Sequence, residues 1–227
     1  MKQDLAGWTI VIDLDGTLVE TAPDLHAALN HVLETQGLEP VSLDLIRMMI
    51  GDGAKALIRR GLTHNGQPID EAHVDRDLWP EFLRHYEANI TKHSHVYDGA
   101  LATLQNLKHR GSTLAVCTNK AQHLAEQVLL ALGVSNLFAA ILGGDRTISK
   151  KPNGAHILET VALAHGDPSR SIMIGDSQTD ERAASNAELP FIMVSFGYGR
   201  LSGAPLTHLE KVDHWLQVEA AINRIAH

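Results

Sequence analysis

Five short apolar runs constrain this chain more than any other feature: WTIVIDL (8–14), TLAVCT (113–118), FAAILGG (138–144), SIMIGD (171–176) and FIMVSF (191–196). Each is only a few residues long, and most are rich in branched side chains, the pattern of a strand buried on both faces. Between the later runs lie helix-like stretches at 99–110, 120–132, 153–165 and 179–188, with Gly111 and Gly133 where helix ends are expected. Strand alternating with helix predicts a parallel sheet covered by helices on both faces, an α/β fold.

Residues 19–96 read differently. They hold almost no strand-like run. Leu25, Ala28, Leu29, Val32 and Leu33 share one helical face, and Gly37 closes that helix. Thr21 and Asp24 have the spacing of a capping box, and Pro23 suits a first turn. Ser42 is expected to cap a short helix ending at Gly51, and another helix begins near Gly53. Residues 69–91 are helical by pattern, with a kink or break expected at Pro80. A helical insertion thus separates the first strand from the rest of the sheet. Residues 199–213, GRLSGAPLTHLEKVD, read as a loop.

Composition narrows the function. The formal charge of -8 counts against nucleic acid or an anionic membrane as partner, so an anionic ligand needs local positive charge from the site. The single cysteine, Cys117, precludes an intramolecular disulfide and fits a reducing, cytoplasmic setting. The N-terminal segment does not read as a secretory signal, and no apolar window is long enough for a membrane span. The 14 histidines are scattered without a zinc-site spacing. His93 and His95 form the one pair of interest.

Four motifs carry chemistry. Asp13-Leu14-Asp15-Gly16-Thr17 ends the first apolar run, where ligands of open α/β sheets bind. Residues two apart in a strand point the same way, so the two carboxylates repel unless a hard cation such as magnesium intervenes. Thr118-Asn119-Lys120 offers a hydroxyl and free amides at a helix start, though taken alone Thr118 reads more readily as a helix cap. Lys151, before Pro152, is a point charge suited to phosphate, though most lysines are surface residues. Gly175-Asp176-Ser177-Gln178-Thr179-Asp180 places two carboxylates at a strand end and helix start, where capping is the alternative reading.

In this order the four motifs resemble the haloacid dehalogenase superfamily over nearly the whole chain. TAPDLHAALN, IGDGAKALIRRGL, YDGALATLQNLKHRGSTLAVCTNK and FGYG resemble its phosphoglycolate phosphatase branch. The resemblance implies a three-layer Rossmann-like sandwich with an inserted helical cap: core 1–18 and 97–227, cap 19–96. It implies a phosphatase in which Asp13 attacks phosphorus, Asp15 is acid and base, Thr118 binds the phosphoryl group and Lys151 neutralises charge. Magnesium would sit on Asp13, the backbone carbonyl of Asp15 and Asp176, with Asp180 in support through water or Lys151. The small phosphorylated metabolite implied is 2-phosphoglycolate. A sugar phosphate, a pyrophosphate, a mutase reaction or a non-catalytic phosphate-binding role are the alternatives. Asn119, Gly53 and Ala54 are the expected substrate contacts, the turn 50–55 reading the far end while Asp52 points away as a helix cap. Two positions depart from the branch: Gly154 replaces the second proline of Lys-Pro-x-Pro, which should loosen the loop, and Ala187-Glu188-Leu189-Pro190 replaces the usual Ala-Gly. Cys117 is expected as buried strand, and Trp79, Phe82 and Tyr86 as cap core rather than a substrate stack.

Overall fold

The computed structural model describes residues 4–199 and 209–226. The chain enters through β1 (Thr9–Ile12) and β2 (Val19–Glu20). It then forms helices α1 (Ala22–Thr35), α2 (Leu43–Met49), α3 (Ala54–His64), α4 (Glu71–His73) and α5 (Trp79–Ala88). It returns through β3 (His95–Val96), and then alternates: α6 (Ala100–His109), β4 (Thr113–Thr118), α7 (Gln122–Ala131), β5 (Ala140–Gly143), α8 (Gly154–Leu163), β6 (Ser171–Gly175). The last elements are α9 (Gln178–Asn186), β7 (Phe191–Val194), β8 (Leu209–Val212) and α10 (Val218–Ala226).

Six strands form one parallel sheet in the order β5-β4-β1-β6-β7-β8. The chain winds outward from β1 through β4 and β5, then crosses back to β6 on the other side of β1. That reversal opens a crevice beyond the carboxyl ends of β1 and β6. Alternate side chains of the buried strands feed two layers. Ile10, Ile12, Leu114, Val116, Ile172 and Ile174 pack with α6, α7 and α10. Val11, Cys117 and Met173 pack with Ile157, Val161, Ala183 and Ala184 of α8 and α9. Each fully buried large aliphatic side chain contributes about 1.5–3 kcal/mol, so both faces must be covered. Among the described residues, no helix is long and apolar enough to cross a membrane.

The helices α1–α5 have a separate core, built from residues such as Leu29, Leu33, Ile46, Ile58, Leu78 and Phe82, to which the sheet-side helix α7 lends Leu124. The segment leaves and returns through the antiparallel pair β2–β3. Ser42 caps α2 as expected, its hydroxyl accepting the Leu45 amide. The capping box expected at Thr21 does not form. The Asp24 carboxylate is recruited across the hinge instead, accepting the Ser94 amide at 2.8 Å, the Ser94 hydroxyl at 2.6 Å and the His93 amide at 3.1 Å. At Pro80 there is no break: a widened, π-helical turn at Val74–Leu78 precedes α5, and proline falls in the first turn of α5. The expected loop at 199–213 contains strand β8 at its end, while 200–208 lie outside the described residues. Glu210 and Lys211 hid that strand, as charges on an edge strand do.

The two departures from the family pattern meet in space. A Cβ at Gly154 would lie 2.6 Å from the Asn186 carbonyl carbon and the Ala187 nitrogen. The glycine therefore lets the start of α8 abut the end of α9, and Asn186 donates to the Pro152 carbonyl at 2.9 Å. The junction is tied, not loosened. Glu188 stands in the left-handed region, φ 57, where glycine commonly ends a helix. Its amide bonds to the Ser185 carbonyl and that of Leu189 to the Ala184 carbonyl, closing the helix end. A side chain there crowds the backbone. Glu188→Gly is expected to raise the unfolding free energy by about 0.5–1 kcal/mol, less than the full left-handed penalty because glycine also loosens the unfolded chain. Urea denaturation checks this, and a lower midpoint would show that the Glu188 side chain contributes more than its strain costs.

Candidate active site

Asp13 follows β1 directly and its amide continues the ladder, donating to the Ile174 carbonyl at 2.9 Å. The carboxylate therefore emerges at the crevice, where it is only 8% exposed. Lys151 Nζ donates to Asp13 Oδ1 at 2.7 Å, to the Cys117 carbonyl at 2.8 Å and to Asp180 Oδ1 at 2.6 Å. All three ammonium donors are thus engaged. Asp180 closes a capping box with Ser177 through its other oxygen, which accepts the Ser177 hydroxyl at 2.6 Å and amide at 3.1 Å. The capping reading of this motif holds, and the same Asp180 carboxylate also meets Lys151. Asp176 Oδ2 accepts the amides of Tyr198 at 2.6 Å and Gly199 at 3.1 Å. Gly16 is required beside it, since a Cβ there would lie 2.6 Å from that oxygen.

The loop carrying Lys151 is fixed from behind by His156, which is fully buried. Its Nδ1 accepts the Lys151 amide at 3.3 Å, so Nε2 carries the proton and donates to the Leu142 carbonyl at 3.2 Å. Burial, aided by the nearby Lys151 charge, lowers the His156 pKa to about 4, keeping the ring neutral.

The carboxylate oxygens of Asp13, Asp176 and Asp180 come within 4.8 Å of one another. One ammonium faces three buried carboxylates. Burial first, and then the neighbouring carboxylates, raise Asp13 well above the usual range despite Lys151. Burial and the Asp180 charge raise Asp176 to about 7. Burial alone would lower the Lys151 pKa, but Asp13 and Asp180 outweigh it and hold the ammonium charged. Such an excess of negative charge is relieved by protons or by a cation. An all-oxygen donor set fits a hard divalent ion, as magnesium is.

Asp15 turns away from that cluster. Its carboxylate accepts Lys120 Nζ at 2.9 and 3.3 Å and the Thr21 hydroxyl at 2.6 Å. Lys120 is itself buried, 4.9 Å from the centre of the Tyr86 ring. Thr118, buried at the end of β4, accepts the Lys120 amide at 3.2 Å. Asn119 Nδ2 donates to the carbonyls of Gly51 at 3.2 Å and Lys151 at 3.0 Å, pinning the turn before α3 to the core. Gly53, not Asp52, is the N-cap of α3, and no side chain caps its first amides. Asp52 does point away, in an ion pair with Arg60.

Asp13, Asp15, Thr118, Asn119, Lys151, Asp176, Asp180, Gly53 and Ala54 all border one cleft. These are the residues expected at the site from the sequence, whereas the pair His93 and His95 lies at β3 and does not border the cleft. The structure adds Lys120 and Tyr198, which border the same cleft, and Thr21, which holds Asp15. Lys120 was visible only as a motif neighbour and Tyr198 only within FGYG. Trp79, Phe82 and Tyr86 stack in the core of the inserted helices and also wall the cleft. Cys117 is buried strand, and burial pushes its thiol up to about 12.

The haloacid dehalogenase-like hydrolase family model matches residues 10–194. A phosphoglycolate phosphatase from Caulobacter vibrioides is 44% identical over 195 residues, which span 86% of this chain and 82% of that protein. One from Agrobacterium fabrum is 44% identical over 200 residues, 88% of this chain and 84% of that protein. Among solved structures, a Haemophilus somnus protein described as a predicted phosphoglycolate phosphatase superposes with a TM-score of 0.85. It is 28% identical and covers 98% of this chain and 99% of its own.

The raised carboxyls make a signed prediction. A group whose pKa rises on folding contributes stability that is present below its unfolded value, here 3.8, and lost as pH rises through its folded value, about 7 for Asp176. Without divalent ions, the melting temperature should therefore fall as pH rises from about 5.5 to about 8. Magnesium should raise it more at the higher pH, because the ion no longer competes with protons. Thermal melts with and without chelator check this. An equal magnesium shift at both pH values would contradict it.

Proposed function

The chain belongs to the haloacid dehalogenase-like hydrolase family and is a phosphoric monoester hydrolase, and we propose that it cleaves 2-phosphoglycolate with magnesium through an aspartyl phosphate. The observation that carries the mechanism is the convergence of Asp13, Asp15, Lys151 and Asp176 on one cleft at the sheet's reversal point. The substrate rests on the two relatives at 44% identity, both phosphoglycolate phosphatases.

In the proposed reaction Lys151 holds Asp13 Oδ1, and the other oxygen attacks phosphorus. The ester P–O bond breaks as the new bond forms, and Asp15 gives a proton to the departing glycolate oxygen. Asp15, now ionised, takes a proton from water, which attacks the aspartyl phosphate. That releases inorganic phosphate and restores the Asp13 carboxylate. The Thr118 hydroxyl donates to a phosphoryl oxygen. Phosphoryl transfer depends on positioning and charge neutralisation, which is what this set of groups supplies. Magnesium, held by Asp13, Asp176 and the backbone carbonyl of Asp15, would add positive charge opposite the phosphoryl oxygens. Asp180 supports the arrangement by its bond to Lys151. Residues 19–96 act as the cap over the core formed by 1–18 and 97–227. Asn119, Gly53 and Ala54 contact the substrate from the cap turn and its anchor.

Asp13→Asn is expected to lower kcat at least about 1,000-fold with the melting temperature little changed, because an amide does not form the acyl phosphate. Wild-type turnover should require magnesium and be inhibited by calcium, which accepts longer bonds and more ligands. Specificity constants over a panel of small phosphate esters should be highest for 2-phosphoglycolate. Asp13→Asn retaining a tenth of the rate, with deamidation excluded, would overturn the nucleophile. Full activity in excess chelator would overturn the metal.

A further inference from the structure

The proposed substrate carries two anionic ends, and the residues discussed so far account for the phosphate. Burying the glycolate carboxylate without a cation or paired donors would be strongly unfavourable. On the cap side the cleft offers the side chains of Leu25, Leu57, Trp79 and Phe82 and the uncapped amides that begin α3 at Gly53 and Ala54, donors at most and none of them charged. Among the described residues lining it, the cations are Lys120 and Lys151. Lys151 has its three donors committed to Asp13, Asp180 and Cys117.

Lys120 differs. Its ammonium bonds to Asp15 and lies against the Tyr86 ring, with no second carboxylate on it among the described residues. Tyr86 supplies a second observation. Its side chain is fully buried and its hydroxyl makes no close hydrogen bond, Lys120 being the charged group beside it. A buried hydroxyl without a close partner is unfavourable, so a group that satisfies it on binding gains affinity. Lys120 and Tyr86 therefore make a polar corner in an otherwise apolar wall, next to the acid that protonates the leaving oxygen. The glycolate carboxylate is one carbon from that oxygen.

We propose that Lys120, with the Tyr86 hydroxyl, is the subsite that binds the substrate's carboxylate. This rests on the phosphoglycolate reading and names the residues that select it. Lys120 bridges two tasks: it holds Asp15 before substrate enters and pairs with the carboxylate afterwards.

A binding experiment separates this from a role exerted only through Asp15. The probes are 3-phosphonopropionate, a non-hydrolysable isostere of 2-phosphoglycolate, and propylphosphonate, which has the same length without the carboxylate. Calorimetric titration with magnesium present should show that wild type prefers the former by about 30-fold or more, the scale of one charge-assisted hydrogen bond. Lys120→Met and Lys120→Gln should each reduce that preference to about threefold or less, and Lys120→Arg should keep most of it. Tyr86→Phe should lower it by a smaller factor. Equal loss of both phosphonates in the Lys120 variants would overturn the proposal, as would a wild type that does not discriminate. Turnover of 2-phosphoglycolate is read separately, so a wrong substrate is distinguished from a wrong subsite.

Discussion

The ammonium of Lys151 is the constraint on which the rest of the structure depends. It is a charge 2% exposed, placed where the end of β1, the end of β4 and the first turn of α9 meet. Its partners come from positions 13, 117 and 180, so the bond network closes loops across most of the chain. A buried ion pair contributes little net stability, because desolvation offsets attraction. Breaking one is different. Loss of the ammonium itself would leave buried carboxylates uncompensated, at about 3–5 kcal/mol, whereas loss of Asp13 alone leaves Lys151 paired with Asp180. The fold is therefore held to the geometry in which Asp13 stands at the crevice, and neutral His156 keeps the backbone of Lys151 from drifting.

That constraint is incomplete by design of the charges. One cation stands among three carboxylates, and the imbalance appears as raised pKa values at Asp13 and Asp176. Asp180 avoids isolation by using each oxygen for a different purpose, one toward Lys151 and one toward its own helix cap. Asp176 is steadied by backbone amides rather than by a cation. What remains is negative potential concentrated at the switch point of a parallel sheet, at the end where substrate enters.

The parts legible in the sequence are those whose chemistry sits within a few residues. Asp13 and Asp15 share one run, Thr118 and Asn119 another, Asp176 and Asp180 a third, and each run ends a recognisable buried strand. Glu188→Gly concerns a position the pattern had marked as unusual, but only the backbone angle shows why. What the sequence hid are bonds between distant segments. The spacing of Thr21 and Asp24 favours a local capping box, yet both side chains are taken by longer-range partners, Asp15 and Ser94. Lys120 gains meaning from Asp15, 105 positions away. Helix propensity is decided locally, while these contacts are decided by the sheet that brings the segments together.

Tyr198 shows how far that closure reaches. Its backbone amide holds Asp176. Its hydroxyl accepts the amides of Thr21 at 2.7 Å and Ala22 at 2.9 Å and donates to Glu20 at 3.0 Å, using its full hydrogen-bonding capacity. Glu20 is held from the other side by Tyr97, which follows the return strand β3. The free amides at the start of α1, left without a side-chain cap, are thus satisfied by the segment that carries Asp176's donors. Thr21, on the same turn, holds Asp15. The direction in which the helical insertion leaves the sheet and the placement of two site carboxylates are therefore set by one set of bonds. A displacement of α1 at its first turn cannot leave Asp15 and Asp176 where they stand.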